Sequence, residues 1–225
     1  DFYFPGMDFS LNLPEYFQEI NQLQAEFKDK IKIKIGLEMG IDLRFKSEIN
    51  QFIDSAPFDF VIASVHEIGD IEVYDGTEFY LQKTKEEAQR EYLLACLDVV
   101  QNFENYNSFG HLDYVARYGP YTDKSIKFAE NREILFEILR ALASKEKALE
   151  INTRLFDDPK TGQFYSDLLI NFKRLGGKFI TLGTDSHIAK RDWLSIHKAR
   201  TLIKKAGFHE LATFSGMKID KNKKS

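Results

Sequence analysis

Residues 178–187 read KFITLGTDSH. Phe179, Ile180 and Leu182 form an apolar run, and Gly183, Thr184, Asp185, Ser186 and His187 break it as a strand end and turn would. Residues two apart on extended backbone point the same way, so Asp185 and His187 can face one cavity and offer a carboxylate and an imidazole to a divalent cation. An isolated D-x-H also fits a helix cap beside an incidental histidine. The choice between the two depends on whether other strand ends offer ligand-type residues, and four do.

Working outward, the strand ALEINTR ends at Arg154, and the helix through Leu168, Leu169 and Phe172 that joins it to KFITLG stops at Gly176 and Gly177. Before that pair, SFGHLDYV is a short strand ending near His111 and Asp113, followed by a helix from Ser125 to Leu142. FDFVIASVH is a near-continuous apolar strand, as in a buried parallel sheet, and delivers His66. A polar loop, GDIEVYDGTEF, then leads to a capping box, Thr84 and Glu87, that opens a long helix carrying Tyr92, Cys96, Val99 and Val100. The first strand, Ile31 to Leu37, runs into Glu38 and follows a helix opened by Pro14; a second helix spans Asp42 to Ser55. Downstream, a helix with Ile196, Ala199, Ile203 and Ala206 stops at Gly207 before a sixth strand, ELATF.

Alternating strands and helices imply parallel pairing through right-handed crossovers, in a doubly wound sheet or a barrel. A barrel is the better reading. It puts every carboxyl strand end on one face, so Glu38, His66, His111, Arg154, Asp185 and His187 converge on one mouth. Oxygen and nitrogen donors without cysteine suit Zn, Mn or Fe, and Glu38 has two oxygens with which to bridge two ions. Arg117 and Arg154 each follow a strand end and could hold a phosphate bidentately, or form surface salt bridges. His197 and His209 read as structural or solvent-facing.

The 225 residues suit one domain, and a hydrophobic share of 43% is enough for one sizeable core. With 31 basic and 35 acidic residues the net charge is −4, and apart from the tail MKIDKNKKS the basic residues are scattered, which argues against a nucleic-acid partner. Cys96 falls on an apolar helix face and reads as a buried filler, consistent with a reducing compartment. There is no apolar run long enough to span a membrane and no signal peptide pattern, so the expected setting is cytoplasmic, without a membrane partner.

The set GLEMG with Glu38, ASVH with His66, FGHLD with His111 and GTDSH with Asp185 and His187 resembles, in order and spacing, the polymerase and histidinol phosphatase (PHP) family. The resemblance is to its histidinol-phosphate phosphatases above all, through the tyrosine-rich loop after His66, HLDYVARYG and EINTR. It implies a distorted (β/α)7 barrel and a cluster of three divalent metals (Zn, Mn or Fe), with Glu38 bridging two ions and His66, His111, Asp185 and His187 as further ligands. The implied reaction is hydrolysis of L-histidinol phosphate, a small-molecule phosphate ester, by a metal-activated water, in histidine biosynthesis. In that scheme Glu38, Asp185, Arg117 and Arg154 are catalytic, Arg117 and Arg154 bind phosphate, and Glu72 faces the cationic end of the substrate. A PHP-type nuclease or nucleotide phosphatase, and a catalytically impaired remnant acting as a binding module, are the alternatives. The family also opens with an H-x-H motif and further histidines around a T-[DE]-H turn; this sequence starts at DFYFPG, which resembles the segment after that turn. Residues 1–225 are therefore expected to form a single barrel domain whose first strand and helix are missing from this chain.

Overall fold

The computed structural model describes residues 11–74, 78–189 and 192–220. The opening DFYFPG, residues 75–77 of the tyrosine-rich loop and the end of the basic tail lie outside the described residues. Five parallel strands form the central sheet: β1 (Gly36–Gly40), β2 (Phe60–Ser64), β5 (Ser108–Phe109), β6 (Ala148–Asn152) and β7 (Ile180–Gly183). Spatial order follows chain order, so the sheet has no point of strand-order reversal of the kind that defines a doubly wound fold. Two hairpins complete the strands, β3 (Glu67–Ile68) with β4 (Ile71–Glu72) and β8 (Phe214–Ser215) with β9 (Lys218–Ile219).

Seven α-helices accompany them among the described residues: α1 (Leu13–Phe27), α2 (Lys46–Asp54), α3 (Lys85–Asn102), α4 (Tyr114–Tyr118), α5 (Arg132–Ser144), α6 (Pro159–Arg174) and α7 (Trp193–Lys205). The crossover helices pack in sequence, α3 on α5, α5 on α6 and α6 on α7. Their local chemistry explains their limits. Thr84 and Glu87 exchange the two hydrogen bonds of a capping box at the start of α3. Asp158 accepts from Lys160 N at the head of α6, whose first position is Pro159. On α5, Ile134, Leu135, Ile138, Leu139 and Leu142 recur at helical spacing and are all buried, at about 1.5–3 kcal/mol of burial each. β6 is buried at every residue, as a central parallel strand between two covered faces should be.

Several boundaries differ from the sequence reading. The first strand begins at Gly36 and not at Ile31, because β2 starts at Phe60 and only the residues level with it find a ladder; Asp59 Oδ2 instead accepts from Ile35 N at 3.0 Å. The helix expected from Ser125 starts at Arg132, since Asp123 bonds both Ser125 N and Ser125 Oγ and holds that segment as a turn. ELATF contributes one ladder-like bond, Ala212 N to Ile180 O at 2.8 Å, before Phe214 turns into the β8–β9 hairpin. That hairpin sits at the amino ends of the strands, where Asn107 Nδ2 donates to Met217 O (2.8 Å) and Met217 N donates to Asp59 O (3.0 Å). Cys96 is buried, and burial pushes its thiol up to about 12. His197 and His209 are exposed. No described helix is long and apolar enough to cross a membrane.

Candidate metal centre

The carboxyl ends of the five strands open on one cavity of about 540 Å³, lined by Glu38, His66, Glu72, His111, Arg117, Arg154, Asp185 and His187 among others. Every residue singled out from the sequence for ligation or substrate binding therefore reaches the same space, but the residues are held in two different ways.

Glu38, within β1, and His66 and His111, each two residues past a strand, form a close group whose donor atoms lie within 4.8 Å of one another. Glu38 Oε1 is 3.0 Å from His111 Nε2 and 3.5 Å from His66 Nε2, and the two Nε2 atoms are 3.2 Å apart. Ser64 Oγ donates to the same Glu38 oxygen at 2.7 Å. The β2–β5 contact that allows this is tight: a Cβ on Gly110 would fall 2.4 Å from Ser64 Oγ. Burial pushes the Glu38 carboxyl up, but hydrogen bonds and charge from His111 and His66 outweigh it and hold the group well below the usual carboxylate range.

This donor set fits a cation. A single N–H is all that two facing Nε2 atoms can share between them, whereas a cation accepts the lone pairs of both imidazoles and of the carboxylate together. His111 is seated from below by Glu150, whose Oε2 accepts from His111 N at 2.9 Å and from Asn152 Nδ2 at 3.2 Å. Glu150 is buried, and burial raises its carboxyl above the ordinary value. Tyr114 stacks on His111 with centroids 4.8 Å apart and packs at a tilt on His66 with centroids 4.9 Å apart.

The opposite wall is built by ion pairs. Asp185, at φ 48° in the turn after β7, bonds Arg117 through Oδ2, and its carbonyl accepts from Arg154 Nη1 at 2.7 Å. Arg117 is the buried partner, 6% exposed, and it lies over the Tyr114 ring at 5.2 Å. Burial lowers its basicity, but the charges of Asp113 and Asp185 more than restore it. His187 has Nδ1 3.3 Å from Arg154 Nη1, yet its side chain is 78% exposed and 3.8 Å from Asp185 Oδ1. Asp185 and His187 thus border the cavity without joining the Glu38 group. The salt-bridge alternative for the arginines is realised for Arg117, and it forms inside the site. Glu72, in β4, is buried at the cavity edge, placed there by the hairpin whose next residue, Val73, donates to His66 O at 2.8 Å.

The sequence reading missed Ser64, Tyr114, Glu150 and the short helix α4. A serine closing β2, a tyrosine opening α4 and a glutamate inside β6 carry no ligand signal, and α4 is too short to show a helical stripe. The one cue was HLDYVAR, where Asp113 and Arg117 stand one helical turn apart.

The PHP domain family profile matches residues 6–154. A "Histidinol-phosphatase" of Lactococcus lactis subsp. lactis is 98% identical over all 225 residues, which cover 84% of its length. "Probable histidinol-phosphatase" proteins of Thermotoga maritima (31% identical, 89% of this chain and 73% of the relative) and Clostridium acetobutylicum (28%, 80% and 68%) are also similar to it.

Proposed function

We propose the following for a chain that belongs to the PHP domain family: it hydrolyses L-histidinol phosphate to L-histidinol and phosphate, as a phosphoric monoester hydrolase of histidine biosynthesis. The observation that carries the site assignment is the Glu38–His66–His111 group, three cation donors within 4.8 Å at the bottom of a cavity that also holds two guanidiniums. Glu38, His66 and His111 would hold a divalent cation, and Asp185 and His187 would complete a set of up to three ions, Zn, Mn or Fe. Bound there, such ions supply Lewis acidity that makes a nucleophile of water near pH 7 and neutralises charge on the phosphoryl group. We take the singly wound sheet as an arc of a distorted (β/α)7 barrel, and residues 1–225 as one PHP-type domain.

The chain's own groups do the rest. Arg117 and Arg154 approach Asp185 from two sides, so an anion entering between them meets two planar donors. Arg117 Nη1, paired with Asp185, is the donor that a phosphate oxygen would take over. Fixed donors in a cavity gain strength where charge spreads over the phosphoryl oxygens in the transition state. Glu72 stands at the same mouth, where its carboxylate can meet the amine or imidazole of the substrate.

Comparing turnover of histidinol phosphate, a nucleoside monophosphate and short single-stranded DNA by the metal-loaded protein tests this reading. Histidinol phosphate should be preferred by at least about tenfold, the lower end of what one hydrogen bond to a charged group supplies. Equal or better turnover of DNA would favour a nuclease of the same family.

A further inference from the structure

Tyr165 lies at the centre of α6, fully buried, and does not reach the cavity lining. Its hydroxyl donates to Asp113 Oδ1 at 2.8 Å, and its ring packs on Phe156 with centroids 5.4 Å apart. These two contacts lead to the two arginines. Asp113 is the residue before α4 and Arg117 sits one turn on, so the acid and the guanidinium share one side of that helix. Phe156 lies two residues after Arg154, in a turn closed by Phe156 N donating to Thr153 O at 3.2 Å and Arg154 N donating to Asn152 Oδ1 at 3.0 Å. The cluster around Arg117 also has unused hydrogen-bonding capacity. Asp113 Oδ2, Arg117 Nε and Arg117 Nη2 are all buried without a partner among the described residues. A buried polar network with open valences is retained where its geometry serves something else.

We infer that Tyr165 is a positioning residue that sets the spacing of Arg117 and Arg154, through Asp113 on one side and Phe156 on the other. Two guanidiniums clamp one phosphate only if their separation matches it, and each is carried by a short segment, α4 and the 153–158 turn, with little rigidity of its own. A single rigid ring, buried between Asp113 and Phe156, ties both segments to α6. A tyrosine meets that need because one face offers packing and the rim offers a donor.

The inference rests on the reading of Arg117 and Arg154 as the phosphate clamp, and the test separates the two. The probe is inorganic phosphate, titrated by calorimetry into the Mn²⁺-loaded chain. Tyr165→Phe removes only the hydroxyl and should weaken phosphate about tenfold, the size of one hydrogen bond to a charged group. Arg117→Met should weaken it at least as much, and adding Tyr165→Phe to Arg117→Met should cost nothing further, because the tyrosine acts through the arginine. Phe156→Leu should weaken phosphate in the parent and leave an Arg154→Met protein unchanged, an arm that stands if Tyr165→Phe folds poorly. A tyrosine serving packing alone would shift Tm in both backgrounds and leave the phosphate Kd where it was, and that result, or additive losses with Arg117→Met, overturns the inference. Unchanged phosphate binding by both Arg117→Met and Arg154→Met would overturn the clamp itself, and this inference with it.

Discussion

The two walls of the cavity carry the same kinds of residue and differ in how the backbone holds them. Glu38 lies inside β1, paired along its length with β2, and His66 and His111 leave strands that pair with each other; Ser64 bonds the Glu38 carboxylate, Tyr114 packs on both imidazoles and Glu150 holds the His111 backbone N–H. Asp185 and His187 lie past the end of β7, an edge strand of the sheet among the described residues, and Asp185 is bonded to Arg117. The first wall is preorganised for a cation. Under the proposed ligand role, the second would have to exchange its ion pair with Arg117 before Asp185 could bind one, and would be completed only on loading. A site with one rigid and one adjustable wall can bind its first ion tightly and still accommodate a substrate that arrives with its own charge.

The largest expected effect lies on the rigid wall. Glu38→Gln should lose bound metal and more than about a hundredfold in turnover, beyond the 10–100-fold typical of losing an outer partner. Metal analysis beside phosphate release checks this, and full metal content in the variant would count against a ligand role for Glu38. The seam between the walls is next. A Cβ at Gly183 would stand 2.1 Å from Glu150 Oε1, so Gly183→Ala should cost about 1–3 kcal/mol in urea unfolding and disturb both His111 and the Asp185 turn. Equal stability of the variant would mean that Glu150 can move and does not brace the floor.

A smaller contrast compares the walls without metal. His111→Ala removes a buried ring and should lower stability by about 1 kcal/mol, whereas His187→Ala, at an exposed position, should stay within about 0.5 kcal/mol. Comparable Tm shifts in metal-free protein would mean that the two walls are held alike. The most selective effect concerns substrate choice. Glu72→Ala should lower kcat/KM for histidinol phosphate by about tenfold and leave p-nitrophenyl phosphate nearly untouched, since only the first carries a cation for Glu72 to meet. Equal losses on both esters would make Glu72 a support for the His66 hairpin.

Much of this was legible in one dimension. Strand-ending motifs stand out because an apolar run buried on both faces contrasts with the ligand-type residue that follows it, as in FDFVIASVH and KFITLGTDSH. The capping box at Thr84 was equally plain, since its two hydrogen bonds span only three residues. The start of β1 was misread because the alternation IKIKI fits a strand whether or not a partner exists, and pairing with β2 depends on where Phe60 begins. ELATF failed for the same reason at the other edge of the sheet.

The amino-acid order alone was enough for the alternating α/β pattern, the family and the ligand-type residues that line the cavity, because these follow from local periodicity and from short motifs whose spacing does not depend on packing. The packing of the whole chain was needed to show that Glu38, His66 and His111 form one close group braced by Glu150 and Tyr114, while Asp185 pairs with Arg117. Glu150 and His111 are 39 positions apart and Glu38 and His111 are 73 apart, and the sheet's lateral order, which no local signal carries, brings them together.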